Sequence, residues 1–146
     1  MPAGALTLFD STLTGLLRGT VPPLDTSPLT ALLLAPGYAP NIAVHSVFAD
    51  VEAYELKAVD AVRLLLTGTS VSGASFQSDD LIFGDPVSIG PVRYMALLAG
   101  NPDALTPSSM LIGVADLTPT GDALEAQRGR FAVTAPTAGW FSLSRL

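Results

Sequence analysis

From Ala61 onward the chain is a succession of short apolar runs, each cut off by Gly, Pro, Ser, Asn or Asp before it could build a long helix. They read "VRLLLTG", "SVSGASF", "LIFGD", "VRYMALLA", "MLIGVADL", "DALEAQ", "RFAVTA" and "WFSLSR". Short runs at this spacing predict a mainly all-β fold, an antiparallel β-sandwich or barrel. In the last run Phe141 and Leu143 alternate with Ser142 and Ser144, as in a strand with one wet face. Gly129 in "QRGR" suits a tight turn, so "DALEAQ" and "RFAVTA" are expected to form a hairpin.

The stretch "GPVRYMALLAG", residues 90–100, is apolar on both faces. Strand alternation puts Val92, Tyr94, Ala96 and Leu98 on one side and Met95 and Leu97 on the other. That is the pattern of a central strand covered twice. One cover is expected to be a second sheet, the other a helix or a neighbouring subunit.

The first part of the chain reads differently. In "FDSTLTGLLRGT", Phe9, Leu13, Leu16 and Leu17 fall at helical spacing, Asp10 or Ser11 can cap the start, and Gly19 can end the helix. "VPPLDTSP" then excludes regular structure, because Pro22, Pro23 and Pro28 lack the donor and fix φ. "LTALLLAPGYAPN" centres on a buried strand over Ala31 to Leu34, and "HSVFADVEAYEL" is expected to hold a short helix. The expected division is a helix and extended arm over residues 1–28 and a β-sandwich over 29–146. "MPAGALTLFD" has neither a basic n-region nor a continuous apolar h-region, so no secretory signal is expected.

Hydrophobic residues make up 49% of the chain and charged residues only 14%. A share of about 25% charged is usual. No apolar run approaches the roughly 20 residues of a membrane-spanning helix, which leaves burial against partners as the expected fate of the excess apolar surface. The net charge is -6 and the seven basic residues are scattered, which argues against a nucleic-acid groove or an anionic membrane as partner.

Reactive chemistry is sparse. There is no cysteine, and His45 is the only histidine, so a catalytic triad would need it with a distant serine and an acid such as Asp50. No serine stands in a G-x-S-x-G context, and a histidine bonded to loop backbone is the expectation. Asp50, Glu52 and Glu55 form one loose acidic group, and Asp79, Asp80 and Asp85 another. Neither has the spacing of a calcium loop, so both read as solvated loops without a metal. No phosphate-cradling glycine motif is present, and no cofactor is expected. Trp140 adjoins a C-terminal strand and reads as closing the core or an interface.

Several of these pieces, taken in order, resemble the small structural proteins of tailed bacteriophages, the head-fibre, decoration and minor virion proteins. The likeness runs from "ALLLAPGYAPN" and the following His45, through Glu55 in "EAYEL" and "RYMALLAG", to "SSMLIGVADL" and "RGRFAVTAPTAGWFSLSRL". It covers about Pro22 to Leu146. One difference is that "ELKAVDAVRL" lacks the glycine-rich turn with a tyrosine that the family carries after the glutamate.

The resemblance implies a non-enzymatic virion protein made in the host cytoplasm, binding copies of itself and the major capsid or another virion protein. A trimer at lattice three-fold positions is the form it favours. Phe9, Leu13, Leu16, Leu17 and Trp140 are the expected interface residues, and the N-terminal segment the expected docking arm, removable at residue 25 without unfolding the core. A tail or baseplate component with a receptor- or glycan-binding tip is the second reading. A small β-sandwich hydrolase is the third.

Overall fold

The computed structural model describes residues 5–57, 63–118 and 124–144. Three antiparallel sheets and one α-helix build it. The largest sheet has the order β1-β8-β7-β2-β3, from β1 (Thr7–Leu8), β2 (Leu29–Leu34), β3 (Leu64–Leu65), β7 (Tyr94–Ala99) and β8 (Leu111–Asp116). A smaller sheet orders β10 (Phe141–Ser142), β5 (Ser75–Gln77) and β4 (Ser70–Ser72), and a long ribbon pairs β6 (Leu81–Val92) with β9 (Leu124–Val133). The all-β, sandwich-like architecture with one short N-terminal helix is the one expected from the sequence.

Burial patterns separate the layers. Every residue of β2 is buried, as are Met95 to Leu98 of β7 and Leu111 to Ala115 of β8. These three strands therefore form a sheet covered on both faces. In β6, Leu81, Phe83, Val87, Ile89 and Val92 point inward between exposed positions, the pattern of an outer layer.

Ala31, Leu33, Met95 and Leu97 pack on one side against Phe83, Val87 and Phe131 of the ribbon and against Phe76 and Trp140. Leu32, Leu34, Ala96 and Leu98 pack on the other side against Phe9, Tyr38, Phe48 and Val51. Both covers of "YMALLA" thus come from the chain itself, and no neighbouring subunit is needed there. Val92 lies with Met95 and Leu97 rather than with Tyr94 as expected. Arg93 is where β6 ends in the outer layer and β7 begins in the main sheet, and it falls in neither strand.

Three other expectations need correction. "DALEAQ" and "RFAVTA" are not a hairpin: they form the single strand β9, whose first predicted residues, Asp122 and Ala123, lie outside the described ones. The "QRGR" signal marks an irregularity instead, with Arg128 at φ 54° and its N–H donating to Ser88 Oγ at 3.0 Å. The β6–β9 register shifts repeatedly between Ile82 and Val92, a stretch that holds Pro86 and Pro91, neither of which can donate to the ladder. "SVSGASF" is itself a hairpin, turning at Gly73 and Ala74 with φ of 58° and 59°. The short helix expected in "HSVFADVEAYEL" is two 3₁₀ turns, Phe48–Asp50 and Glu52–Tyr54.

The third correction concerns the arm. The N-terminal segment belongs to the body: β1 pairs with β8, Leu6 and Phe9 are buried, and the Leu6 N–H donates to the Trp140 carbonyl at 2.8 Å. Leu24 is buried as well, so removing residues 1–25 would strip a sheet edge and core side chains. Gly113 of β8 permits the close approach of β1, since a Cβ there would stand 2.8 Å from both the Leu6 side chain and the Thr7 carbonyl. Gly113→Ala should therefore cost about 1–3 kcal/mol through overpacking. The check is a lowered urea midpoint with an unchanged m-value; an unchanged midpoint would show that β1 is not held this way.

Candidate functional site

Helix α1 (Asp10–Arg18) begins after Phe9 and ends at Gly19, whose φ of 72° and N–H donation to the Gly15 carbonyl close the last turn. Asp10 in the first turn and Arg18 in the last complement the helix dipole. Its buried residues are Thr12 and Gly15, not the leucines. Thr12 Oγ1 donates to the Ile112 carbonyl at 2.8 Å and reaches the Leu111 carbonyl at 3.2 Å, satisfying acceptors beyond the short β1. Gly15 lies under Thr20 and Val21, where a Cβ would meet Val21 Cγ2 at 2.8 Å. A hydroxyl and a hydrogen atom thus bring the helix close to its surroundings.

The consequence is an apolar outer face. Leu17 is 91% exposed and Leu13 is 44% exposed, four residues apart on one side of the helix. Leu16 turns toward a groove of about 370 Å³, lined also by Val21, Pro23, Val71, Phe141 and Leu143. Val71 and Leu143 are themselves 52% and 59% exposed. Leu16, one helical turn from Leu13, joins ridge to groove, so the two apolar features lie side by side.

Of the five residues expected at an interface, Leu13 and Leu17 lie on this surface and Leu16 at its edge. Phe9 and Trp140 are buried in the chain's own core. Trp140 Nε1 donates to Ser78 Oγ at 2.8 Å, and its backbone N–H donates to the Phe76 carbonyl. Leucine spacing alone therefore found the ridge. Val71, Phe141 and Leu143 come from strands distant in sequence and carried no local sign of a shared groove.

The polar candidates hold structure together. The Asn41 N–H can only donate, so at 3.3 Å it makes His45 Nδ1 an acceptor; the Tyr38 hydroxyl, 2.8 Å from the same nitrogen, then donates to it. Burial pushes the Tyr38 phenol up to about 12, with the nearby Asp50 charge adding to the effect, so its proton stays in place. Tyr38, Asn41 and His45 all belong to the segment that carries the resemblance. Asp50 Oδ2 accepts from the Ser46 and Val47 N–H groups at 2.8 and 3.0 Å, which holds its carboxyl below its ordinary value.

Glu55 is held by Arg63 through two bonds of 2.9 and 3.1 Å, while Arg63 also donates to the Pro102 carbonyl and lies over the Phe48 ring. The Glu55 side chain is 1% exposed. Asp79 accepts from Thr67 Oγ1 and Asp80 from the Ala135 N–H. Among the described residues no three His, Cys, Asp or Glu side chains gather as a metal site. No helix among them is long and apolar enough to cross a membrane.

Two outcomes follow. Arg63→Met leaves the buried Glu55 carboxylate with only the exposed Lys57 ammonium 3.7 Å away and should cost about 3 kcal/mol, read as a urea midpoint shift, with Glu55→Gln/Arg63→Met losing less than Arg63→Met alone. Because the Asp50 pKa is depressed by folding, its contribution is complete above its unfolded value near 3.9 and fades as pH falls through the folded value. Asp50→Asn should accordingly show a flatter loss of stability in acid than the parent chain; parallel acid limbs would contradict this. No family model, no curated protein and no solved structure matches this chain.

Proposed function

We propose that this chain is a non-catalytic structural protein of a tailed-bacteriophage virion, a decoration or head-fibre protein that joins the particle as a symmetric homo-oligomer. The observation that carries the reading is the apolar surface of Leu13, Leu17, Val71 and Leu143, left outside a core that already closes on both faces of its main sheet. Such a surface suits a component that is covered on assembly. The low share of charged residues supports the same use, and the ordered resemblance supplies the class of particle. The titratable side chains that invited a catalytic reading, His45, Asp50 and Glu55, are engaged in holding loops and strand ends.

The test is to measure particle mass and bound protein after mixing the purified chain with phage shells that lack it. Saturable binding at a fixed ratio to coat protein is expected. Failure to bind shells, together with binding to isolated tails or baseplates, would overturn the head assignment in favour of a tail component. Binding to neither would overturn the virion reading.

A further inference from the structure

We infer that the α1 face binds a second copy of this chain in an isologous, two-fold contact. The inference deepens the reading of the chain as an assembly component and rests on it. A two-fold interface uses one patch twice, so that patch must offer both a projection and a recess. Here both are adjacent. Leu13 and Leu17 form the projecting ridge, and the groove of about 370 Å³ opens beside it, with Leu16 at its lip and Val71, Phe141 and Leu143 along its wall. A two-fold rotation places the ridge of each copy against the groove of the other.

Charge selects this occupant over an unrelated apolar partner. Arg18 flanks the ridge and Asp25 lines the groove, both exposed, and neither takes part in an ion pair among the described residues. Two copies with a net charge of -6 each repel one another at long range, so a self-contact needs local compensation. The two-fold arrangement supplies it twice, pairing Arg18 of each copy with Asp25 of the other. It predicts a dimer in place of the trimer favoured by the resemblance.

The patch also explains an odd use of leucine. Leu17 contributes almost nothing to its own fold at 91% exposure, whereas a leucine buried in an interface removes its apolar surface from water.

The experiment measures the mass of the full chain by light scattering and sedimentation over a range of concentrations. The parent chain is expected to be a dimer, and Leu17→Glu to weaken dimerisation by roughly tenfold or more with an unchanged urea midpoint. Arg18→Asp and Asp25→Arg should each be monomeric, because each sets like charges together at both contacts. Mixing those two variants should restore a one-to-one heterodimer, since the two carboxylates of the first variant then face the two guanidinium groups of the second. A monomeric parent, a trimer, a Leu17→Glu variant that stays dimeric, or a mixture that stays monomeric would each overturn the contact. Shell binding is read separately: a monomer that still binds shells removes the contact and leaves the virion reading, and a charge-rescued dimer that ignores shells does the reverse.

Discussion

The structure depends on three adjacent strands, β2, β7 and β8, that are buried on both faces at once. Nothing within such a ladder can turn to water, so every side chain needs packing partners and every backbone group needs a strand or loop beside it. The fold follows from meeting that demand. One face is roofed by the β6–β9 ribbon and the small sheet; the other by Phe9 and by Tyr38, Ile42, Phe48 and Val51 of the segment that follows β2. Where β2 outruns β3, the Ala35 N–H donates to the Tyr54 carbonyl and the Leu56 N–H to the Leu33 carbonyl. Where β8 outruns β1, Phe9 N–H and Thr12 Oγ1 take the Ile112 carbonyl.

That last arrangement decides the character of the outer surface. A helix packed by a leucine stripe would stand well away from the sheet, too far for a threonine hydroxyl to reach a strand carbonyl. Thr12 and Gly15 face inward instead, and the leucines are displaced outward. The helix thus finishes a sheet edge and presents an apolar ridge for the same geometric reason. The exposed leucines are a consequence of how the edge is closed, and that closure fixes where they stand.

The sequence showed much of the fold through particular residues. The unbroken apolar runs over Leu29 to Leu34 and Tyr94 to Leu98 announced doubly covered strands, and the alternation through Leu81, Phe83 and Val87 is visible once the ribbon is known. What misled was local chemistry that serves two ends. Gly129 reads as the left-handed residue of a turn, yet the positive φ falls on Arg128 before it, at an irregular position inside a strand. Helical spacing located α1 but not its orientation, since the inward face is set by a hydroxyl bond to a residue a hundred positions away. Trp140 and Phe9 resembled surface anchors because large apolar side chains look alike in sequence whether they meet the chain's own core or a partner's. The groove was illegible for a simpler reason: its walls are assembled from α1, β4 and β10, which only the tertiary fold brings together.

The ion pair between Glu55 and Arg63 has a meaning for the evolution and engineering of the chain. One residue precedes and the other follows a stretch whose two ends are clasped, the first by β2 through Leu56 and the second by the carboxylate and the Pro102 carbonyl. Arg63 joins three places, the carboxylate beyond the end of β2, the Pro102 carbonyl and the Phe48 ring, through one guanidinium. The clasp therefore acts as a junction, and a change to any one of these three places has to keep the guanidinium where the other two need it.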